Sequence, residues 1–254
     1  MHILITNDDG IEAPGLKALT AEFATLPQVK ITVVAPHLQR SACSHSLTFH
    51  EPLRIYRDWQ DGCIHWFSSS GTPTDCLMLG FYQLCETRPD FILSGVNCGA
   101  NMGYDVSYSA TVSAALEGIP TGIPAMAVSL VGRSPKRYGL AASWARRIFE
   151  KWSDLELPAS SIASVNVPDI EPEAVKGVLF TGQGRSIYRQ GVKKLVDPWG
   201  GTYYWIYGAI PEGEMIEGTD FEAVADGYVS VTPLDMNLTD QNTLQKWLSK
   251  SIAF

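Results

Sequence analysis

The sequence predicts an α/β chain: a Rossmann-like three-layer sandwich with a mostly parallel sheet. Two observations predict it. Apolar runs of strand length alternate with helical patterns through the first two thirds of the chain, and polar clusters follow directly after those runs. Alternation of this kind builds βαβ units, whose crossovers cover a parallel sheet with helices on both faces.

In chain order, residues 2–6, 30–35, 91–94 and 125–130 read as strands, being short, apolar and bounded by polar residues or Gly. Residues 15–26, 74–85, 109–118 and 137–152 read as the intervening helices. In the last of these Leu140, Trp144, Ile148 and Trp152 recur every fourth residue, which predicts one apolar face turned to the core. From about Gly182 the texture changes. Arg185-Ser186-Ile187-Tyr188-Arg189 and Gly200-Gly201-Thr202-Tyr203-Tyr204-Trp205-Ile206-Tyr207 read as an aromatic β-hairpin arm. Its aromatics can cover an active site or be buried on a second subunit; left exposed they form a large apolar patch, and the subunit interface is favoured. The helical pattern in residues 237–254, with Leu244, Trp247 and Leu248, can likewise exchange between subunits.

With 254 residues, 45% hydrophobic and 18% charged, the chain can bury one large core. A net charge of -8 leaves no basic excess for a nucleic-acid duplex or an anionic membrane surface. The start lacks a basic stretch followed by a long apolar one, and no run approaches the ~20 apolar residues of a membrane span. Five cysteines without Cys-x-x-Cys spacing disfavour a disulfide framework or a zinc site, so the expectation is a cytoplasmic protein with inert thiols. Neither Gly-x-Gly-x-x-Gly nor a P-loop follows any strand, which removes most of the case for NAD or P-loop chemistry.

The chemistry concentrates after the first strand, in Asn7-Asp8-Asp9. Two adjacent carboxylates repel unless a cation or proton lies between them. Three other polar clusters also follow apolar runs: Arg40-Ser41, Ser70 to Asp75, and the loop from Ser94 to Asp105. In a parallel sheet such loops emerge on one edge, where ligands bind, so all four can converge. Magnesium or manganese prefers carboxylate, carbonyl and water oxygens. Asp8 and Asp9 would supply the charge, while the Ser41 hydroxyl and the Asn97 carbonyl can complete the shell. Such an ion suits hydrolysis of a phosphate ester, and Ser109 and Thr111, where a Gly-rich loop meets a helix, can hold phosphate oxygens. Competing readings stand beside these. The acidic pair can cap a helix, Asn97 and Asn101 can be turn residues, and Thr72-Pro73-Thr74-Asp75 can be a helix start. The five histidines show no metal spacing.

Taken together, Ile-Thr-Asn-Asp-Asp-Gly-Ile-Glu-Ala-Pro-Gly, Val-Val-Ala-Pro with Arg40-Ser41, Gly71 to Cys76, Ser94 to Asn97, and Asp105 to Val112 resemble the survival protein SurE family. The likeness continues through Val165 to Pro168, Thr219 to Phe221 and Gly227 to Leu234. It implies a metal-dependent phosphatase, a 5'- and 3'-nucleotidase acting on nucleoside monophosphates and in some members on short polyphosphate. It implies metal ligands at Asp8, Asp9, Ser41 and Asn97, with one Mg2+ or Mn2+ per subunit. It also implies a C-terminal arm and helix swapped between the subunits of a dimer or tetramer.

On this reading residues 1–181 form the catalytic core. Residues 182–254 hold the arm, a return strand at about 227–233 and an oligomerisation segment, without forming an independent domain. Asn7 joins Asp8 and Asp9 as a catalytic candidate, Gly95, Ser109 and Thr111 are candidates to orient phosphate, and Asp105 is a supporting or acid/base candidate. Ala42 and Ala110 stand where the family often has Gly, and Ala110 leaves substrate range open. The alternative is a low-turnover nucleotide- or metal-binding module.

Overall fold

The computed structural model describes residues 1–132, 134–208 and 212–250. The last four residues of the expected oligomerisation segment, 251–254, lie outside the described residues.

The strands are β1 (His2–Thr6), β2 (Lys30–Pro36), β3 (Ile55–Asp61), β4 (Ile64–Ser69), β5 (Phe91–Cys98), β6 (Ala125–Val131), β7 (Ser161–Pro168), β8 (Val178–Phe180), β9 (Ser186–Ile187), β10 (Gln190–Val196), β11 (Thr202–Gly208), β12 (Glu212–Gly213) and β13 (Val229–Asp235). The α-helices are α1 (Pro14–Ala24), α2 (Pro73–Leu79), α3 (Ala110–Leu116), α4 (Gly118–Thr121), α5 (Tyr138–Glu150), α6 (Asp220–Ala225) and α7 (Gln241–Leu248). Nine strands form one sheet in the order β3-β4-β2-β1-β5-β6-β7-β13-β8. The pairings from β4 to β7 are all parallel, and among the described residues of this sheet antiparallel contacts occur only at β3–β4 and β7–β13. The α/β class and the mostly parallel sheet are therefore those the sequence predicts.

Alternation along the central strands divides the core between the two faces. Ile3, Ile5, Val33, Leu93, Met126 and Val128 pack on one face with Leu16, Leu19 and Phe23 of α1 and Ala141, Ala142 and Ala145 of α5. Leu4, Val34, Ile92, Ala125 and Ala127 pack on the other with Leu77 of α2 and Val112, Ala114 and Ala115 of α3. Each strand buried on both sides reads as a continuous apolar run, which is why the period-2 signal is hidden in the sequence. The buried face of α5 is centred on its alanines. Leu140, Trp144 and Trp152 of the predicted stripe are only partly buried beside them, because a helix pressed close to both α1 and the sheet has room at its centre only for small side chains.

One expectation differs in detail, and the strands β3, β4 and β7 were not foreseen. The predicted helix over 74–85 starts at Pro73 behind a capping box, in which Thr72 and Asp75 satisfy each other's backbone N–H groups, and opens into a π turn at Gly80–Leu84. The hairpin β3–β4 is absent from the sequence reading because the edge strand β3 is polar and largely exposed. β7 was missed as well, its Ser, Ala and Asn residues weakening any apolar run. β10 and β11 form a separate two-stranded hairpin. Its Tyr204, Trp205, Ile206 and Tyr207 are exposed, and Trp199 at its tip is 90% exposed.

Candidate active site

The chain passes from β1 to β2 on one side and later returns to lay β5 on the other side of β1. The carboxyl ends of β1 and β5 therefore flank the point where strand order reverses, the usual ligand crevice of an open α/β sheet. Asn7, Asp8 and Asp9 leave β1 there, residues 37–44 follow β2, and Asn97 sits at the end of β5.

Asp8 is 5% exposed, and among the described residues the only side chain that donates to it is Thr111, through its hydroxyl to Asp8 Oδ1. Burial, with the neighbouring charge of Asp9 added, pushes the Asp8 carboxyl up to about 6 against the pull of the Thr111 hydrogen bond. Asp9 is also raised by burial, opposed by two donors: the Cys98 backbone N–H at 2.9 Å from Oδ2 and Gln39 Nε2 at 3.3 Å from Oδ1. Gln39 Nε2 is also 2.9 Å from Ser41 Oγ, so one amide nitrogen spans Asp9 and Ser41. The Asn97 amide nitrogen donates to the Gly99 carbonyl at 2.9 Å, which leaves its side-chain oxygen as the free acceptor. Asn7 is fully buried. Its Nδ2 donates to the Gly10 carbonyl at 3.0 Å, and its Oδ1 has no partner among the described residues.

These oxygens outnumber the donors around them, which is the condition that favours a hard cation. Among the described residues no three His, Cys, Asp or Glu side chains gather to hold a metal. A cation here would rest on two carboxylates and neutral oxygens, and the donor set fits magnesium or manganese.

The phosphate-orienting candidates lie differently. Gly95 is buried inside β5 at an irregularity in the register with β6, where residues 94–97 of β5 span only Ala127 to Ser129 of the partner. Its φ is +134°, and a Cβ there would lie 2.3 Å from the Val128 carbonyl oxygen. Only glycine passes this point, and the extra residue re-aims Asn97, a common use of a bulge beside a site. Thr111 is fully buried with its hydroxyl committed to Asp8, so it supports that carboxylate instead of reaching a phosphate. Ser109 caps α3 by accepting from the Val112 N–H at 3.1 Å. Asp105, in the 3-10 turn Gly103–Ser107, accepts from the Tyr188 hydroxyl at 2.7 Å. Ala110 is the first residue of α3 in ordinary helical conformation, whereas Ala42 has φ +57°. Asn101 is structural: its N–H reaches Asn166 Oδ1 at 2.9 Å and its Nδ2 reaches Ser129 Oγ at 2.8 Å.

The sequence reading missed Gln39, the Cys98 amide and Tyr138, whose phenol is pushed up by burial, by Cys98 and by the Asp9 charge. Gln39 alone carried a signal, standing beside Arg40-Ser41 on the same sheet edge.

An open, mostly parallel α/β sheet with a buried and a half-buried carboxylate side by side and neutral oxygens at its switch point defines a class of small-ligand site suited to a divalent cation and an anion. The comparisons narrow the class. The family profile of Survival protein SurE matches residues 3–190. The 5'-nucleotidase SurE of Geobacter sulfurreducens is 45% identical over 251 residues, 97% of this chain and 94% of that protein. The 5'-nucleotidase SurE of Methylococcus capsulatus is 44% identical over 251 residues, 98% of each. The crystal structure of the Sure protein from Aquifex aeolicus superimposes with a TM-score of 0.81 at 38% identity, covering 98% of this chain and 100% of that one. The chain belongs to the Survival protein SurE family.

Proposed function

We propose that this protein is a phosphoric monoester hydrolase that cleaves nucleoside 5'-monophosphates to nucleoside and phosphate. One divalent metal ion per subunit would be held by Asp8, Asp9, Ser41 and Asn97. Near full-length relatives named 5'-nucleotidase SurE support the reaction. The observation that carries the site is the oxygen-rich, donor-poor corner of Asp8, Asp9 and Ser41, two of whose oxygens share the single amide nitrogen of Gln39.

When bound, the ion would neutralise phosphoryl charge and lower the pKa of a water. The chain's own residues do the rest. Asp8 and Asp9 must be ionised, and Thr111 keeps Asp8 in one orientation by donating to Oδ1. The Cys98 amide does the same for Asp9 Oδ2. Asn7 is an interior brace whose amide closes the turn onto Gly10. Asp105 is partly exposed and can exchange a proton with the leaving oxygen, its Oδ1 steadied by Tyr188. We extend the reading to 3'-monophosphates and short polyphosphate as secondary substrates.

The exposed aromatic strands of the arm and α7, which buries none of its residues, support a homo-oligomer, a dimer or tetramer with swapped C-terminal elements. No helix among the described residues is long and apolar enough to cross a membrane, and the five cysteines are free, which supports a cytoplasmic setting. The test is phosphate release from AMP, GMP and p-nitrophenyl phosphate with Mg2+, Mn2+ or chelator. Metal-dependent release is expected. Nucleotide binding without turnover would instead support the binding-module alternative.

A further inference from the structure

The turn Gly103–Ser107 lies in the chain between Asn97 and Thr111, and four hydrogen bonds from the C-terminal part of the chain hold it. Gly103 N–H donates to Asp220 Oδ2 at 2.9 Å, and Gln183 Nε2 donates to the Gly103 carbonyl at 2.7 Å. Tyr104 N–H donates to Ser186 Oγ at 3.0 Å, and the Tyr188 hydroxyl reaches Asp105 at 2.7 Å. Asp220 is 1% exposed and accepts two further N–H groups on Oδ1, from Gly184 at 2.9 Å and Phe221 at 2.8 Å. One carboxylate thus staples the active-site turn to the root of the hairpin arm. The contact leaves no slack: Gly103 has φ +50°, and a Cβ on it would lie 2.5 Å from the Phe221 ring.

We propose that Asp220 is a positioning residue for the active site, holding the turn Gly103–Ser107 so that Asn97, Asp105 and Thr111 keep their places. This deepens the nucleotidase reading and rests on it. The acceptor arrangement supplies a selective test. In Asp220→Asn the remaining oxygen can keep Gly184 and Phe221, while the new amide nitrogen faces the Gly103 N–H, donor against donor. The substitution therefore removes the one tie that the buried carboxylate gives the turn, leaving those from Gln183, Ser186 and Tyr188, and keeps the arm side attached.

The experiment is steady-state kinetics with AMP and amide hydrogen exchange on the full chain. Asp220→Asn is expected to lower kcat about 10-fold with KM within about 3-fold, the loss of one charged hydrogen bond acting through geometry. Amides of residues 103–108 should exchange faster while β1 stays protected. Tyr188→Phe, which removes the hydroxyl that reaches Asp105, should give a smaller kcat loss with the same split. If Asp220→Asn does not fold, Ser186→Ala with Tyr188→Phe loosens the same turn at two of its other ties, and it must show both the kcat loss and the faster exchange at 103–108. Unchanged kcat, or unchanged exchange at 103–108, in a folded variant overturns the proposal. If wild type releases no phosphate, the nucleotidase reading fails, and exchange still decides whether Asp220 holds the turn.

Discussion

Asp8 and Asp220 are both buried carboxylates, at 5% and 1% exposure, and they are buried in opposite ways. Asp220 accepts three backbone N–H groups. Asp8 has one hydroxyl donor and the like charge of Asp9 beside it. Burial raises the carboxyl of each, and at Asp220 the backbone donors pull against it. The difference teaches that burial alone does not mark a ligand site. The mark is burial with fewer donors than the oxygens can accept, because such a carboxylate gains most from a cation.

The largest effect should come from removing charge at the donor-poor corner. Asp9→Asn is expected to lose at least ~100-fold in turnover with Mn2+ or Mg2+, since metal assistance supplies several kcal/mol. Near-normal turnover in chelator, or in this variant, would end the metal reading.

Stability should report the same deficit in cation-free protein. Asp8 titrates at about 6 when folded and at 3.8 unfolded. Across that window the native state holds a proton the unfolded chain has released, so stability contributed by this group falls as pH rises and levels off above about 6. Asp8→Asn should therefore be more stable than wild type at pH 8, by on the order of 2 kcal/mol after solvent access is discounted, and nearly equal to it at pH 4. A divalent cation should raise the thermal midpoint of wild type and leave the variant unmoved. Equal stability of the two cation-free proteins at pH 8 would show that Asp8 is already satisfied.

Thr111→Val tests the single donor. The shape is kept and the hydroxyl lost, so metal affinity, read by the cation concentration giving half activity, should weaken about 10-fold. No change would return Thr111 to a packing role.

How much of this could be read from the sequence follows from the kind of interaction involved. That Asp8-Asp9, Ser41 and Asn97 lie at one edge of the sheet was legible because one rule about parallel sheets gathers the loops after the strands there. Gly95 and Thr111 were legible as candidates at the same edge, but not in the contacts they make. The register shift beside Gly95 and the Thr111-to-Asp8 bond depend on which strands pair, and chain spacing does not carry that. Asp220 was legible only as part of the segment Thr219 to Phe221, and its role was hidden for the same reason: its partner Gly103 lies 117 residues away, and an Asp in the first turn of a short helix looks like any other.

The smallest expected effect concerns backbone strain, where the two corners differ again. The Asp220 corner uses glycine for its left-handed residue, Gly103 at φ +50°, while the loop carrying Ser41 uses Ala42 at φ +57° and Ser44 at φ +52°. An alanine in that region costs about 1 kcal/mol, partly offset by the extra freedom glycine brings to the unfolded chain. Ala42→Gly should therefore raise the thermal midpoint by about 1 to 2 °C. Ala110 opens α3 in helical geometry, so Ala110→Gly should lower the midpoint, by roughly 1 kcal/mol of stability at most. Opposite signs from the same substitution would locate the strain in the loop that carries Ser41. The same sign at both positions would mean that glycine acts there only through the unfolded state.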